Sequence, residues 1–201
     1  TGALMVGDSV KYSLNRIVEQ RLGQVTHVFK AGDRYFTMNL SEKVSKRLDL
    51  PVSSLLLQEG SAVADGGQKR LNQVQVIGVD GNFDRMAGAE KIYGSLSGDS
   101  ILISSNVANR LNVRAGDEVL LRIQRASLIP PNAPFVSDAE SIVTLRAHVR
   151  GIVEEEHLGK FNLRVSQTPP FNVFISQARL SALMDFEDRA NVMLLSVPRD
   201  L

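Results

Sequence analysis

Apolar positions along the chain change period several times, and each change marks an element. Between residues 4 and 22, Val6, Val10, Leu14, Ile17, Val18 and Leu22 repeat at three and four residues, with Lys11, Asn15, Arg16, Glu19 and Gln20 between them. That is the period of an amphipathic helix, and Gly23 is its stop signal. Residues 25–29 read as a strand, and Gly32-Asp33 as a turn before the aromatic pair Tyr35-Phe36. Residues 41–48 read as a short helix capped at Ser41 and ending before Pro51. A buried strand follows at 54–58. Residues 60–68 are small and read as a loop, with Gly66-Gly67 as a hairpin turn. Over 71–79 both alternating faces are partly apolar, which predicts a strand covered on both sides. Residues 80–98 are Gly-rich and read as irregular.

The most legible stretch is 98–123. Ile101-Leu102-Ile103 is a short strand, and Ser104 or Ser105 can cap a helix. Val107, Ala108 and Leu111 fall at helical spacing, and Asn112 ends that helix. Arg114-Ala115-Gly116-Asp117 is a turn, and residues 119–123 form a second strand. Pro130, Pro131 and Pro134 exclude regular structure over 128–140. Residues 141–153 read as a long strand closed by the charged Glu154-Glu155-Glu156-His157. A weak strand at 163–165 precedes Pro169-Pro170. A strand at 171–175, a helix capped by Ser176 and running to about Met184, and a last strand at 191–197 complete the chain.

Length and charge narrow the field. The 201 residues suffice for one large domain or two small lobes. A net charge of +1 gives no electrostatic reason to expect nucleic-acid binding. The absence of cysteine excludes disulfides, thiolate metal sites and cysteine nucleophiles, and fits any compartment, an oxidising one included. No apolar run reaches the roughly 18 residues of a membrane span, and no signal peptide is visible. The chain begins at Thr1 and reads as an excised or processed segment, so these residues alone do not set its relation to a membrane.

Candidate chemistry is sparse. Gly7-Asp8-Ser9 resembles the opening of the GDSL-type serine hydrolases, which implies Ser9 as nucleophile. That chemistry needs a histidine base with an orienting carboxylate and an oxyanion hole. The family's late Asp-x-x-His pair is missing: the last histidine is His157, Glu154-x-x-His157 lies too early, and Gly81-Asn82 lacks the family's spacing. Asp80-Gly-Asn82-Phe-Asp84 is similar to the start of a calcium loop, but the positions that need Gly and Glu hold Arg85 and Lys91. His27, His148 and His157 lack the spacing of a zinc site. No phosphate-binding glycine loop is present, so the chain is not expected to bind ATP itself. No catalytic, cofactor-binding or metal-binding residue is assigned.

Taken in order, several segments resemble the extracytoplasmic core domain of MacB/FtsX-type ABC transporter permeases. They are Val76-Ile-Gly-Val-Asp80 with Phe83, Ile101-Leu-Ile-Ser-Ser-Asn-Val-Ala-Asn-Arg-Leu111, Val113-Arg-Ala-Gly-Asp-Glu-Val119, Val149-Arg-Gly-Ile-Val153 and Asn172-Val-Phe-Ile-Ser176. The start, Gly7-Asp-Ser-Val-Lys-Tyr-Ser-Leu14 with Glu19-x-Arg21-Leu22-Gly23 and Gly32-Asp33-Arg34-Tyr35-Phe36, is similar to the large-permease branch. The resemblance implies an α+β module outside the cytoplasmic membrane, on its periplasmic or extracellular side, with residues 3–22 continuing from a membrane helix. It implies a mixed α/β lobe with a long N-terminal helix, from 1–79 with 151–201, and a smaller β-rich inserted lobe over 80–150. It implies a partner ATP-binding subunit reached through flanking membrane helices, and contact with a second permease copy or a periplasmic partner. On this reading the chain couples ATP hydrolysis to export, release or partner activation and is not an enzyme. The alternatives are the GDSL-type hydrolase and a stand-alone cradle-loop barrel binding module, which Gly116-Asp117 before a strand also marks.

Overall fold

The computed structural model describes residues 18, 21–32, 34–125, 142–164, 166 and 168–198. Its element order is β1 (His27–Lys30), β2 (Phe36–Thr37), α1 (Met38–Leu48), β3 (Val52–Ala64), β4 (Lys69–Val79), α2 (Gly81–Ala87), β5 (Ser100–Ser104), α3 (Ser105–Leu111), β6 (Glu118–Gln124), β7 (Ile142–Val153), β8 (Asn172–Ser176), α4 (Gln177–Leu183), β9 (Arg189–Ala190) and β10 (Val192–Leu195). The content is mixed α and β, as the sequence implies. Of the helix read over 4–22, only Val18, Arg21 and Leu22 are described, and they are helical. The Gly7-Asp8-Ser9 motif and the proline-rich stretch 128–140 lie outside the described residues.

Eight strands form one sheet in the order β1-β10-β3-β4-β8-β5-β7-β6, and β6 also pairs with β3. That extra pairing closes β3-β4-β8-β5-β7-β6 into a six-stranded barrel. β3 serves two partners on one edge because it is long: residues 52–55 pair with β10 and residues 60–63 with β6, while the other edge carries β4. Gly60 stands at the change of partner. A Cβ there would lie 2.5 Å from the Arg122 carbonyl oxygen, so only glycine lets β6 approach. A register shift between Gly60 and Ala62 adds the local bend that closure needs. At the junction Leu57, which pairs with Ile77 of β4 on one edge, has no strand partner on the other. The Asn191 side chain replaces one: its Oδ1 accepts the Leu57 N–H at 2.8 Å and its Nδ2 donates to the Leu57 carbonyl at 2.9 Å.

Alternation along the strands sorts the apolar residues into two clusters. Val74 and Val76 of β4, Ile101 and Ile103 of β5 and Val173 and Ile175 of β8 pack on the inner face. Ile77, Val79, Leu102 and Phe174, one position out of phase, pack on the outer face with Phe83, Tyr93 and Phe161. In β7 a register shift opposite Ile101 and Leu102 inserts one residue, Arg150. One extra residue flips the alternation, so Val149 belongs to the inner cluster and Val153 to the outer one. The expectation that 71–79 is covered on both sides holds only for its second half: residues 76–79 are all buried, while Asn72 and Gln73 are exposed.

The strands β5, β6 and β7 of the 80–150 stretch pair with β8 and β3, and β7 itself runs through residue 150. Both stretches thus feed one sheet and both clusters. A closed barrel is also what the cradle-loop alternative expects.

Four local expectations need correction. Residues 60–64 are strand and not loop, because Ala62 and Ala64 point into the crowded barrel where little else fits. Residues 81–87 form α2 within the stretch read as irregular. Asp80 caps it by accepting the Asn82 N–H at 3.0 Å, and Gly88 stops it in a left-handed conformation. α1 starts at Met38, so Ser41 lies inside it and donates to the Met38 carbonyl at 2.6 Å instead of capping. Leu163 and Arg164 form a bend and not a strand; Val165 is outside the described residues.

Candidate functional site

The segments that carry the permease resemblance come together in space. Residues 76–80 end β4, 172–176 are β8, 101–111 are β5 with α3, and 149–153 end β7. These strands are sheet neighbours in the order β4-β8-β5-β7. The Arg114–Asp117 turn forms as expected, with the Arg114 N–H donating to the Asp117 carboxylate at 2.7 Å.

Buried polar groups tie the surrounding loops to this sheet. Asn172 is fully buried. Its Nδ2 donates to the carbonyls of Gly159 and Phe161 at 3.0 and 2.9 Å, and its Oδ1 accepts from Gln75 at 3.1 Å. The Ser104 hydroxyl accepts the Asn172 N–H at 3.0 Å and donates to Asn106 Oδ1 at 2.5 Å. Ser104 therefore occupies the cap position of α3 without capping it, because its hydroxyl is taken by β8. Asn106 Nδ2 reaches the Pro170 carbonyl at 3.0 Å. On the outer face, Asp84 accepts the N–H groups of Tyr93 and Gly94, each at 2.8 Å. The Tyr93 hydroxyl donates to the His157 carbonyl. Burial, then the nearby Asp84 charge, pushes the Tyr93 phenol well above its ordinary range.

These ties frame a groove of about 860 Å³ between the 162–171 loop, the middle of β3 and the first half of β4. Its lining is rich in carboxamides, including Gln58, Gln73, Asn106 and Asn162, with Leu71 and Phe171 as apolar surface. Arg164 bridges it to Glu59 at 2.5 Å, and Lys30 donates to the Leu163 carbonyl at 3.0 Å. Partial burial, then the Arg164 charge, lowers the Lys30 pKa. Carboxamides both donate and accept, so the groove suits an extended polar chain or a loop of a partner. The sequence offered no signal for it, since its lining comes from six separated segments.

The residues that sequence motifs nominate do not converge. Ser9 is outside the described residues. His157 sits in a short turn, and its Nδ1 is buried without a partner among the described residues. Gly81 and Asn82 open α2. Asp80 and Asp84 each spend their carboxylates on N–H donors: Asp80 on Asn82, two residues on, as an Asx turn does, and Asp84 on the backbone of Tyr93 and Gly94 in the following loop. Among the described residues no group of three His, Cys, Asp or Glu could hold a metal ion. His27 lies exposed on β1 beside Thr26, and His148 lies exposed on β7, 3.6 Å from Glu118.

No family model matches the sequence, and no curated protein does so either. Solved structures do share its fold. The periplasmic region of MacB from Actinobacillus actinomycetemcomitans matches with a TM-score of 0.55 and 11% identity, covering 92% of this chain and 79% of that one. The extracellular domain of the noncanonic ABC-type transporter YknZ from Gram-positive bacteria matches with a TM-score of 0.55 and 11% identity, covering 86% of this chain and 83% of that one. At this identity the likeness is one of fold: the chain has the fold of the extracytoplasmic domains of MacB-type ABC transporters. Among the described residues no helix is long and apolar enough to cross a membrane.

Proposed function

We propose that the chain is the extracytoplasmic module of an ABC transporter permease. It transmits motion from a cytoplasmic partner ATPase, through flanking membrane helices, to a substrate or partner outside the membrane. The observation that carries this reading is the match to two transporter domains over most of this chain and most of theirs. The site geometry is compatible with it. The described residues that motifs nominated do not converge, while the sheet is braced by buried hydrogen bonds and offers a groove whose lining includes several carboxamides. Such a body moves as a unit and binds by contact.

Two measurements on the parent protein in its membrane test the reading. Lys43 is exposed on α1, and the chain has no native cysteine, so Lys43→Cys gives one thiol in this segment. In intact cells it should react with a membrane-impermeant maleimide. The detergent-extracted parent should also co-purify with a nucleotide-hydrolysing subunit. Labelling only after permeabilisation would overturn the location. Recovery of the parent without an ATPase would favour the second reading, a stand-alone barrel binding module, for which the closed six-stranded barrel is the supporting observation. The hydrolase alternative predicts nitrophenyl-ester turnover that Ser9→Ala abolishes; equal background rates remove it.

A further inference from the structure

A second, smaller recess of about 460 Å³ lies at the far end of β4, where Val79 leads into Asp80. That volume is within the roughly 300–1,000 Å³ of small-ligand sites. One wall is α4. Gln177 and Ser181 both line the recess, and four residues apart they share one face of the helix. Gln177 is 2% exposed and Ser181 4%. The Gln177 carboxamide oxygen and nitrogen and the Ser181 hydroxyl all lack a hydrogen-bond partner among the described residues. Folded interiors pair nearly all such groups, so three orphaned atoms on two side chains that line one recess call for an explanation.

The charge around them is one-sided. Asp80, Glu187 and Asp188 line the recess, and no Lys, Arg or His does. None of these three carboxylates forms an ion pair among the described residues. Met38, Leu96 and Ala182 supply apolar wall. An anion would meet three carboxylates, none of them ion-paired among the described residues. A wholly apolar group would leave Gln177 and Ser181 unpaired.

We propose that this recess binds an alkylammonium or alkylguanidinium group. Glu187 and Asp188 hold the charge beside Asp80, whose two oxygens also accept from Asn82. Gln177 Oε1 and Ser181 Oγ accept the group's N–H donors, and the apolar wall covers its methylene stem. The same chemistry belongs to a free organic cation and to a lysine or arginine side chain of another protein. The inference rests on the recess alone and stands whether or not the chain is a transporter module.

The test is a titration of the 201-residue chain, followed by amide NMR, with three probes. They are n-butylguanidinium, N-acetyl-arginine-methylamide and the neutral N-acetyl-norleucine-methylamide. Both cations should saturably shift the Gln177 side-chain amide with a Kd of about 1 mM or tighter, weakening with salt. The neutral analogue should not. Asp188→Asn should raise the Kd about threefold or more. Gln177→Leu should weaken binding without lowering the thermal midpoint, because an apolar group replaces an orphaned polar one. If Gln177→Leu does not fold, Ser181→Ala and Asp188→Asn still decide. Equal affinity for both cations marks a site for free amines or guanidines, and tighter binding of the arginine amide marks a side chain delivered by a partner. No saturable shift with either cation, equal binding of the norleucine analogue, or an unchanged Kd in Asp188→Asn would overturn the proposal.

Discussion

The two faces of the barrel sheet are built from different materials. The inner cluster is almost wholly aliphatic and comes from strand positions two apart, plus α3 and α4. The outer cluster is centred on four aromatic rings. Phe83 packs edge-on against Tyr93 at 4.8 Å and Phe161 at 5.5 Å, and Tyr93 packs against Phe174 at 5.0 Å. Three of these rings come from α2 and the loops, and only Phe174 comes from a strand. The difference assigns each face a task. The inner face holds the barrel to itself, and the outer face holds loops to the barrel.

Truncating one member of each cluster should separate the tasks. Phe83→Ala removes a fully buried ring and should cost about 4 kcal/mol in urea unfolding. Its increase in amide exchange should concentrate at 81–98 and 154–163. Leu121→Ala should cost about 3 kcal/mol and raise exchange across β6 and its neighbours β7 and β3. Identical exchange patterns for the two variants would mean that the faces are one cooperative unit.

The same contrast explains what the sequence could show. Inner positions such as Ile101, Ile103, Val119 and Leu121 follow a period of two, so β5, β6 and the 98–123 unit were readable. The outer cluster was not. Phe83, Tyr93 and Phe161 follow no common period, and α2 is too short and too flanked by glycine to show a helical pattern. Barrel closure was also hidden, since it depends on Gly60 and on Asn191, 131 positions further on, acting as a substitute strand partner. The permease resemblance was legible because four of its segments fall on β4, β8, β5 and β7, neighbouring strands of one sheet. The groove and the recess draw on loops and strand ends, where no local pattern forms.

Smaller perturbations sharpen the picture. Asn172→Ala strands the Gly159 carbonyl, leaves the Phe161 carbonyl only its 3.4 Å bond from Gln75, and should cost about 2–3 kcal/mol. Asn191→Ala leaves one N–H and one C=O of Leu57 unpaired where water has partial access, and should cost about 1–2 kcal/mol, with exchange rising at the junction of β3 and β10. If Asn191→Ala leaves stability unchanged, water replaces the carboxamide and the junction is less closed than it looks. The pH effect is smallest at neutrality. Tyr93 is held protonated in the fold, so the folded state binds more protons than the unfolded one above the ordinary tyrosine pKa of about 10. Its contribution is complete below that pH and declines above it. Tyr93→Phe should flatten the alkaline limb of the stability profile, while losing the hydrogen bond to the His157 carbonyl at all pH values below it.

Hydrogen exchange of the module within its membrane-embedded parent complex, with and without ATP plus vanadate, tests the coupling account most directly. The account predicts nucleotide-dependent exchange in the groove loop 162–171, at the edge strand β1 and at its neighbour β10, with the barrel strands unchanged. Exchange over 25–198 that is identical in both states, while the complex hydrolyses ATP, would contradict it.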